Sequence, residues 1–195
     1  MLVPMPPRNK SGSPEDPAPN LSAPVVRLKV ILLDLVPPIW RRFQVPTNFT
    51  LRRLHVVLQH VMGWTETQKH EFRVAGQLFG MPSEDSGTVR DSRWVTLQDL
   101  LAQKTRTFHY EYGGATRWTH QIHVEGLADG NANNQRAICL AGERACPPEE
   151  CGGPDAYVDL LDARHRTPFL PPSDDLDPDA FDLDAINTTL ASLKF

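Results

Sequence analysis

Three cysteines and three glutamates crowd the run CLAGERACPPEECGG at residues 139–153: Cys139, Cys146 and Cys151 with Glu143, Glu149 and Glu150. Thiolates bind soft metals or act as nucleophiles. The gaps between these three, six and four residues long, contain no CxxC knuckle of the kind that signals zinc. A fourth ligand could come from His165 or His120, which the sequence alone does not place. A reactive thiol needs a nearby cation or helix N-terminus, and Arg144 stands two residues from Cys146. The simpler expectation is three small buried thiols. Pro147-Pro148 stiffens the run and Gly152-Gly153 permits close backbone approach. A loop of that kind can present a binding or catalytic carboxylate from Glu143, Glu149 or Glu150. The same carboxylates could equally cap the next helix or pair with Arg144.

Histidine supplies acid–base chemistry near neutral pH. His70 sits beside Glu71 where a strand-like run begins, and His120 shares an apolar face with Trp118 and Ile122. A hydrogen-bonded core histidine is the plainer reading of His120. A hydrolase-like or metal-dependent site would bring His70, His120 and Glu149 or Glu150 into one cleft with Cys146 nearby. Six basic residues, Arg27, Lys29, Arg41, Arg42, Arg52 and Arg53, lie within 27 positions. On one shared surface they could contact phosphates. On separate faces they would be solvated or paired with acidic residues of the same chain. No HExxH, GxSxG or P-loop pattern occurs.

The elements that must position these groups follow from periodicity. Val25–Leu35 alternates, with Val26, Leu28, Val30 and Leu32 opposite Arg27 and Lys29. Pro37-Pro38 interrupts it, and Ile39–Val45 alternates again. Thr50 caps a helix whose apolar stripe is Leu51, Leu54, Leu58, Val61 and Met62, with Arg52, His55 and Gln59 on its polar side and Gly63 as its stop. His70–Ala75 and Leu78-Phe79 read as a strand pair, Met81–Arg93 as a polar loop and Thr96–Leu101 as a short capped helix. A hairpin follows: Phe108, Tyr110 and Tyr112 share a face, Gly113-Gly114 turns, and Trp118, His120, Ile122 and Val124 share a face on the return. Residues 139–153 read as irregular. Tyr157, Leu160 and Leu161 would point inward from a helix at 154–163, and a last helix capped by Asp182 carries Leu183, Ile186, Leu190 and Leu193. Strands and helices interleave without regular βαβ alternation. That predicts an α+β fold, a mostly antiparallel mixed sheet covered by helices, in one domain over residues 25–195.

The chain has 195 residues, 40% hydrophobic, and a formal net charge of −4. Residues 1–148 carry 17 Lys/Arg against 13 Asp/Glu, and residues 149–195 carry 3 against 11, so the mild acidity hides a basic front and an acidic end. Seven of the 18 prolines fall before residue 25. Residues 1–24 lack the apolar side chains to offset ordering entropy and read as a disordered Pro-rich tail. No apolar run approaches the ~18–20 residues of a membrane-spanning helix, and no secretory leader is visible. With three cysteines and no leader, a cytoplasmic setting is expected and no disulfide framework.

The runs RLKVILLDLVPPIWRRFQVP, TLRRLHVVLQHVMGW, HEFRV, YEYGG, WTHQIHVEG, GERACPPEECGGP and FDLDAIN occur in this order. Together, over about residues 25–190, they resemble the plasmid pRiA4b ORF-3-like family, whose members are also described as TnpR-like passenger proteins of a bacterial insertion sequence. The resemblance implies an α+β domain in a bacterial or archaeal cytoplasmic protein, often plasmid- or mobile-element-encoded, with no established activity and no cofactor. It maps the family's polar signature onto His70, Glu71, Trp118, His120, Glu143, Cys146, Glu149, Glu150 and Gly152-Gly153. This chain departs from the pattern after Gly113, where an expected Asp is replaced by Gly114. The resolvase-like label has no matching nucleophilic Ser with clustered Arg. The expectation is therefore a non-catalytic accessory or interaction domain, with nucleic acid as a candidate partner through the basic front and protein as another. The competing expectation is the hydrolase-like or metal-dependent enzyme.

Overall fold

In a computed structural model, the chain is described over residues 23–82, 88–114, 116–128, 136–166 and 177–195, without the side chain of His165. The tail expected over residues 1–24 lies outside them but for its last two residues. Eight strands form one sheet: β1 (Val25–Leu32), β2 (Ile39–Pro46), β3 (His70–Val74), β4 (Gln77–Gly80), β5 (Val89–Asp91), β6 (Thr107–Gly113), β7 (Arg117–Ala128) and β8 (Ile138–Glu143). Their spatial order is β5-β4-β3-β6-β7-β1-β2-β8. Every neighbouring pair is antiparallel except β4–β5, which is parallel. The helices are α1 (Leu51–Met62), α2 (Leu97–Ala102), α3 (Pro154–Arg166) and α4 (Leu183–Ser192).

One face of the sheet is sealed and the other meets solvent. Leu28, Val30, Phe43, Phe108, Tyr110 and Ile122 are at most 1% exposed, while the alternate residues Arg27, Lys29, Arg42, His109 and Gln121 are exposed or half-buried. This is the period-two pattern of a sheet covered on one side. α1 lies on the sealed face. Thr50 accepts from Arg53 N–H at its start, and Gly63 closes it in the left-handed conformation with φ 77°. Leu51, Leu54 and Leu58 are wholly buried, each contributing on the order of 2 kcal/mol.

Three expectations need correction. The stretch 81–93 is not all loop, because β5 pairs with β4 there and a 3-10 turn follows at 92–94. The stretch from Cys139 is not irregular throughout, because β8 pairs with β2 through a bulge. Leu160 is 38% exposed rather than inward, whereas Tyr157 is buried. α4 covers the outer edge of β8. Asn187 donates from Nδ2 to Cys139 O at 3.0 Å and accepts Cys139 N–H at 2.8 Å. One side-chain amide thus replaces a missing neighbour strand.

Candidate functional site

The side of α1 expected to face water faces Tyr110 instead. His55 is 2% exposed and Gln59 wholly buried. Gln59 Oε1 accepts Glu66 N–H at 3.0 Å, so its Nε2 is the donor to the Tyr110 hydroxyl at 2.8 Å. That hydroxyl then directs its own hydrogen at His55 Nδ1, 2.7 Å away. The proton of neutral His55 is left on Nε2, which faces Glu66 Oε2 at 3.7 Å. Glu66 adopts a left-handed φ of 61°, uncommon without glycine, and Arg52 approaches its carboxylate at 3.4 Å.

His70 stacks on His55 with ring centroids 3.5 Å apart and planes 9° from parallel. Burial, then the adjacent His70 and Arg52, bring the pKa of His55 to about 2. Burial, then Arg52, brings that of His70 to about 4. Both rings are neutral at physiological pH. His70 Nε2 is buried without a hydrogen-bond partner among the described residues. A lone pair is cheaper to orphan than an N–H, which assigns the ring's proton to Nδ1.

This pair borders a cleft of about 900 Å³ that also touches Arg52, Glu66, Lys69, Glu71, Glu111 and Arg117. Met81, Pro82 and Val89 give it an apolar wall. Gly113 and Gly114 of the β6–β7 turn form another part. Gly113 sits at φ 121°, where a Cβ would come within 2.6 Å of Thr116 O. Gly114, the position where the family resemblance leads one to expect an acid, is therefore cleft lining.

Glu149 does not enter this cleft as a free carboxylate. Its Oε2 accepts from Thr65 N–H at 2.8 Å and Thr65 Oγ1 at 2.6 Å, and its Oε1 accepts from Thr67 Oγ1 at 2.6 Å and Thr67 N–H at 3.4 Å. The Tyr112 hydroxyl donates to the same Oε1. Burial opposes its ionisation, but the bonds from Thr65, Thr67 and Tyr112 outweigh that and bring its pKa to about 2. Trp64 Nε1 donates to Pro147 O at 2.9 Å, and the Trp64 ring stacks 5.3 Å from that of Tyr112. The signature loop is thereby latched onto the connection that carries Glu66 and His70.

The other expected residues separate. His120 is 0% exposed, with Nδ1 3.2 Å from Tyr110 O and Nε2 unpartnered among the described residues. Burial brings its pKa to about 4. A site joining His70, His120 and Glu149 therefore does not form as an open cleft. Glu143 accepts Trp40 Nε1 at 2.7 Å on the other face of the sheet, and Glu150 is exposed. Cys146 lies beside Arg41 NH2 at 3.2 Å, not beside Arg144, which pairs with Asp179. Burial pushes its thiol up to about 11 despite Arg41. Among the described residues, no three of His, Cys, Asp and Glu gather to hold a metal. The Glu66–His55–Tyr110 order would suit nucleophile activation. Tyr110 is nonetheless wholly buried, and that burial holds its hydroxyl protonated.

The six basic residues do not share a surface. Arg27, Lys29 and Arg42 lie on the open sheet face. Lys29 sits 4.4 Å over Trp40, and Arg42 is paired with Glu125 at 2.9 Å. Arg41 is 3% exposed and donates to the carbonyls of Val61, Trp40, Glu143 and Arg144. Arg53 is 5% exposed, and Arg52 borders the cleft. Sequence reasoning missed His55 and Gln59. The available signal was their spacing from Arg52 along one helix side, set against the tyrosines of YEYGG.

A family model described as plasmid pRiA4b ORF-3-like protein matches residues 24–188. A relative from Sinorhizobium fredii, described as uncharacterized protein y4hQ, is 37% identical over 143 residues, spanning 72% of this chain and 73% of its own. A crystal structure described as protein of unknown function MM3350 from Methanosarcina mazei Go1 superposes with a TM-score of 0.76 at 28% identity. It covers 85% of this chain and 98% of that one.

Proposed function

The chain belongs to the plasmid pRiA4b ORF-3-like family, and from that premise we propose that it is a non-catalytic accessory domain that binds a partner in the cleft over the His55–His70 stack. The observation that carries this reading is the contrast between an open, charge-lined cleft and sealed or occupied reactive groups. Tyr110 and His120 are buried away from water, Cys146 is half-buried against Arg41, and Glu149 is held in the latch by Thr65, Thr67 and Tyr112. Pockets of this size that combine an apolar wall with a few convergent polar groups are common binding sites. A cytoplasmic, mobile-element setting is part of the same reading.

Nucleic acid is the less favoured partner. Of the six basic residues Arg27, Lys29, Arg41, Arg42, Arg52 and Arg53, three (Arg27, Lys29 and Arg42) share the open sheet face, and Arg42 is already paired with Glu125. A thermal-shift screen of the full chain against chemically diverse small molecules, run beside turnover assays on esters, phosphoesters and amides, tests the proposal. The expected result is stabilisation that His70→Ala abolishes, without turnover. Turnover that His70→Ala or His55→Ala removes would overturn it.

A further inference from the structure

Beyond the binding reading, we infer that Trp64, Tyr112 and Tyr110 form a conduit for single oxidising equivalents, which come to rest as a neutral tyrosyl radical on Tyr110 with its proton held by His55. The three rings are continuous. Trp64 and Tyr112 have centroids 5.3 Å apart and planes 16° from parallel, and Tyr112 and Tyr110 have centroids 6.4 Å apart and planes 14° from parallel. Those are contact spacings for aromatic rings, across which an electron tunnels readily. Trp and Tyr are among the side chains most easily oxidised by one electron. Trp64, at 5% exposed, is the ring nearest solvent, while Tyr112 and Tyr110 are at most 1% exposed.

Oxidation turns a phenol into a strong acid, so a tyrosine is a stable stop only where a base accepts its proton. Tyr110 directs its hydrogen at His55 Nδ1, 2.7 Å away, and His55 Nε2 faces Glu66 Oε2 at 3.7 Å. An imidazolium formed there would meet a carboxylate. Tyr112 donates to Glu149, but that carboxylate already accepts four bonds from Thr65 and Thr67, which protonation would weaken. Tyr112 is therefore the relay and Tyr110 the stop. Tyr157 is 2% exposed and its hydroxyl has no hydrogen-bond partner among the described residues. It lacks the base and serves as the internal control. A Glu66–His55–Tyr110 relay sealed from water is of no use to a nucleophile, which must touch its substrate. Electron transfer needs no such contact. Burial penalises the Tyr110 phenolate, whereas a neutral radical carries no charge to desolvate.

The oxidant is a strong one-electron acceptor of the carbonate-radical class. It takes one electron from Trp64 and leaves as carbonate. Trp64 recovers the electron from Tyr112, and Tyr112 recovers it from Tyr110, whose phenolic proton passes to His55 Nδ1. The products are carbonate, the Tyr110 phenoxyl radical and a His55 imidazolium. An ascorbate or thiolate donor returns one electron, becoming a radical itself, and the proton goes back from His55 to the phenolate oxygen.

Carbonate radicals made by pulse radiolysis in a solution of the full chain test this, with transient absorption for the rates and freeze-quench electron paramagnetic resonance for the radical. The chain has three tyrosines, so the signal can be assigned. The expected result is a tryptophanyl signal that decays into a tyrosyl one. The tyrosyl yield should fall at least tenfold in Tyr110→Phe and stay unchanged in Tyr157→Phe. Its rise should slow at least tenfold in Tyr112→Phe, which removes the intermediate stop. The radical should couple to a hydrogen-bonded proton that exchanges in deuterium oxide. If Tyr110→Phe unfolds the chain, the double variant Tyr112→Phe/Tyr157→Phe, with Tyr110 its one tyrosine, should still form the radical. Absence of any tyrosyl signal overturns the inference. So does a signal undiminished in Tyr110→Phe, one lost in Tyr157→Phe, a rise unaffected by Tyr112→Phe, or a radical without the exchangeable proton. Ligand binding in the cleft is measured separately and stands or falls without regard to these outcomes.

Discussion

The hydroxyl of Tyr112 on β6 donates to Glu149 of the loop after β8, closing a latch between the middle of the sheet and the segment beyond its far edge. The same carboxylate holds Thr65 and Thr67 by their backbone and side chains. It thereby fixes the connection that leads from α1 to His70. Glu149 of the signature loop thus holds in place the connection that borders the cleft.

Replacing Glu149 by Ala should destabilise the fold by about 2–3 kcal/mol, since charge-assisted hydrogen bonds are lost together. Urea unfolding measures this. The pKa of Glu149 is depressed from an ordinary value of 4.5 to about 2. Its contribution is therefore complete above pH 4.5 and is lost as pH falls toward 2. Glu149→Gln should flatten stability over that window.

His70 titrates higher. His70 has a folded pKa of about 4 against an ordinary 6.5, so the unfolded chain takes up the proton first. Stability is full above pH 6.5 and declines as pH falls toward 4, by on the order of 2 kcal/mol. Melting temperatures across that range should show a shallower fall for His70→Gln.

Cys146 is half-buried beside Arg41, with its thiol pushed up to about 11 by desolvation. Alkylation of the folded protein at pH 8, read by mass spectrometry, should leave it unmodified. Arg41→Ala strips four carbonyls of their donor. It should cost about 3 kcal/mol or more. Arg41→Lys should rescue little, because an ammonium lacks the guanidinium fork.

Asn187→Ala should leave the N–H and C=O of Cys139 unpaired at the edge of β8. A loss of about 1–3 kcal/mol and faster hydrogen exchange at Cys139 are the expected outcomes.

The sheet was legible in the sequence where one face is apolar. The alternation in β1, β2, β6 and β7 places Leu28, Phe43, Tyr110 and Ile122 correctly. β5 is three residues long and carries no alternation. β8 holds Gly142 and a bulge, and exists because β2 and Asn187 satisfy its two sides. Neither reason is local in sequence. The cleft was half legible. His70 and Glu71 border it, but His55 was placed on a polar helix side. A polar side chain with a tyrosine and a second imidazole waiting for it can be buried, and that partner lies 55 residues away. The basic run misled because spacing within a strand alternates faces: Arg41 and Arg42 point to opposite sides of one sheet.

Long-range ¹H–¹⁵N spectra of the full chain labelled at histidine test most directly whether the stacked pair serves a binding cleft. At pH 7 His55 should appear as the neutral Nε2–H form and His70 as the neutral Nδ1–H form. Saturation with a ligand from the thermal-shift screen should shift the His70 nitrogens, with no turnover detected. A charged His55 or His70 at pH 7, or His70 nitrogens unmoved at saturation, would contradict the assignment.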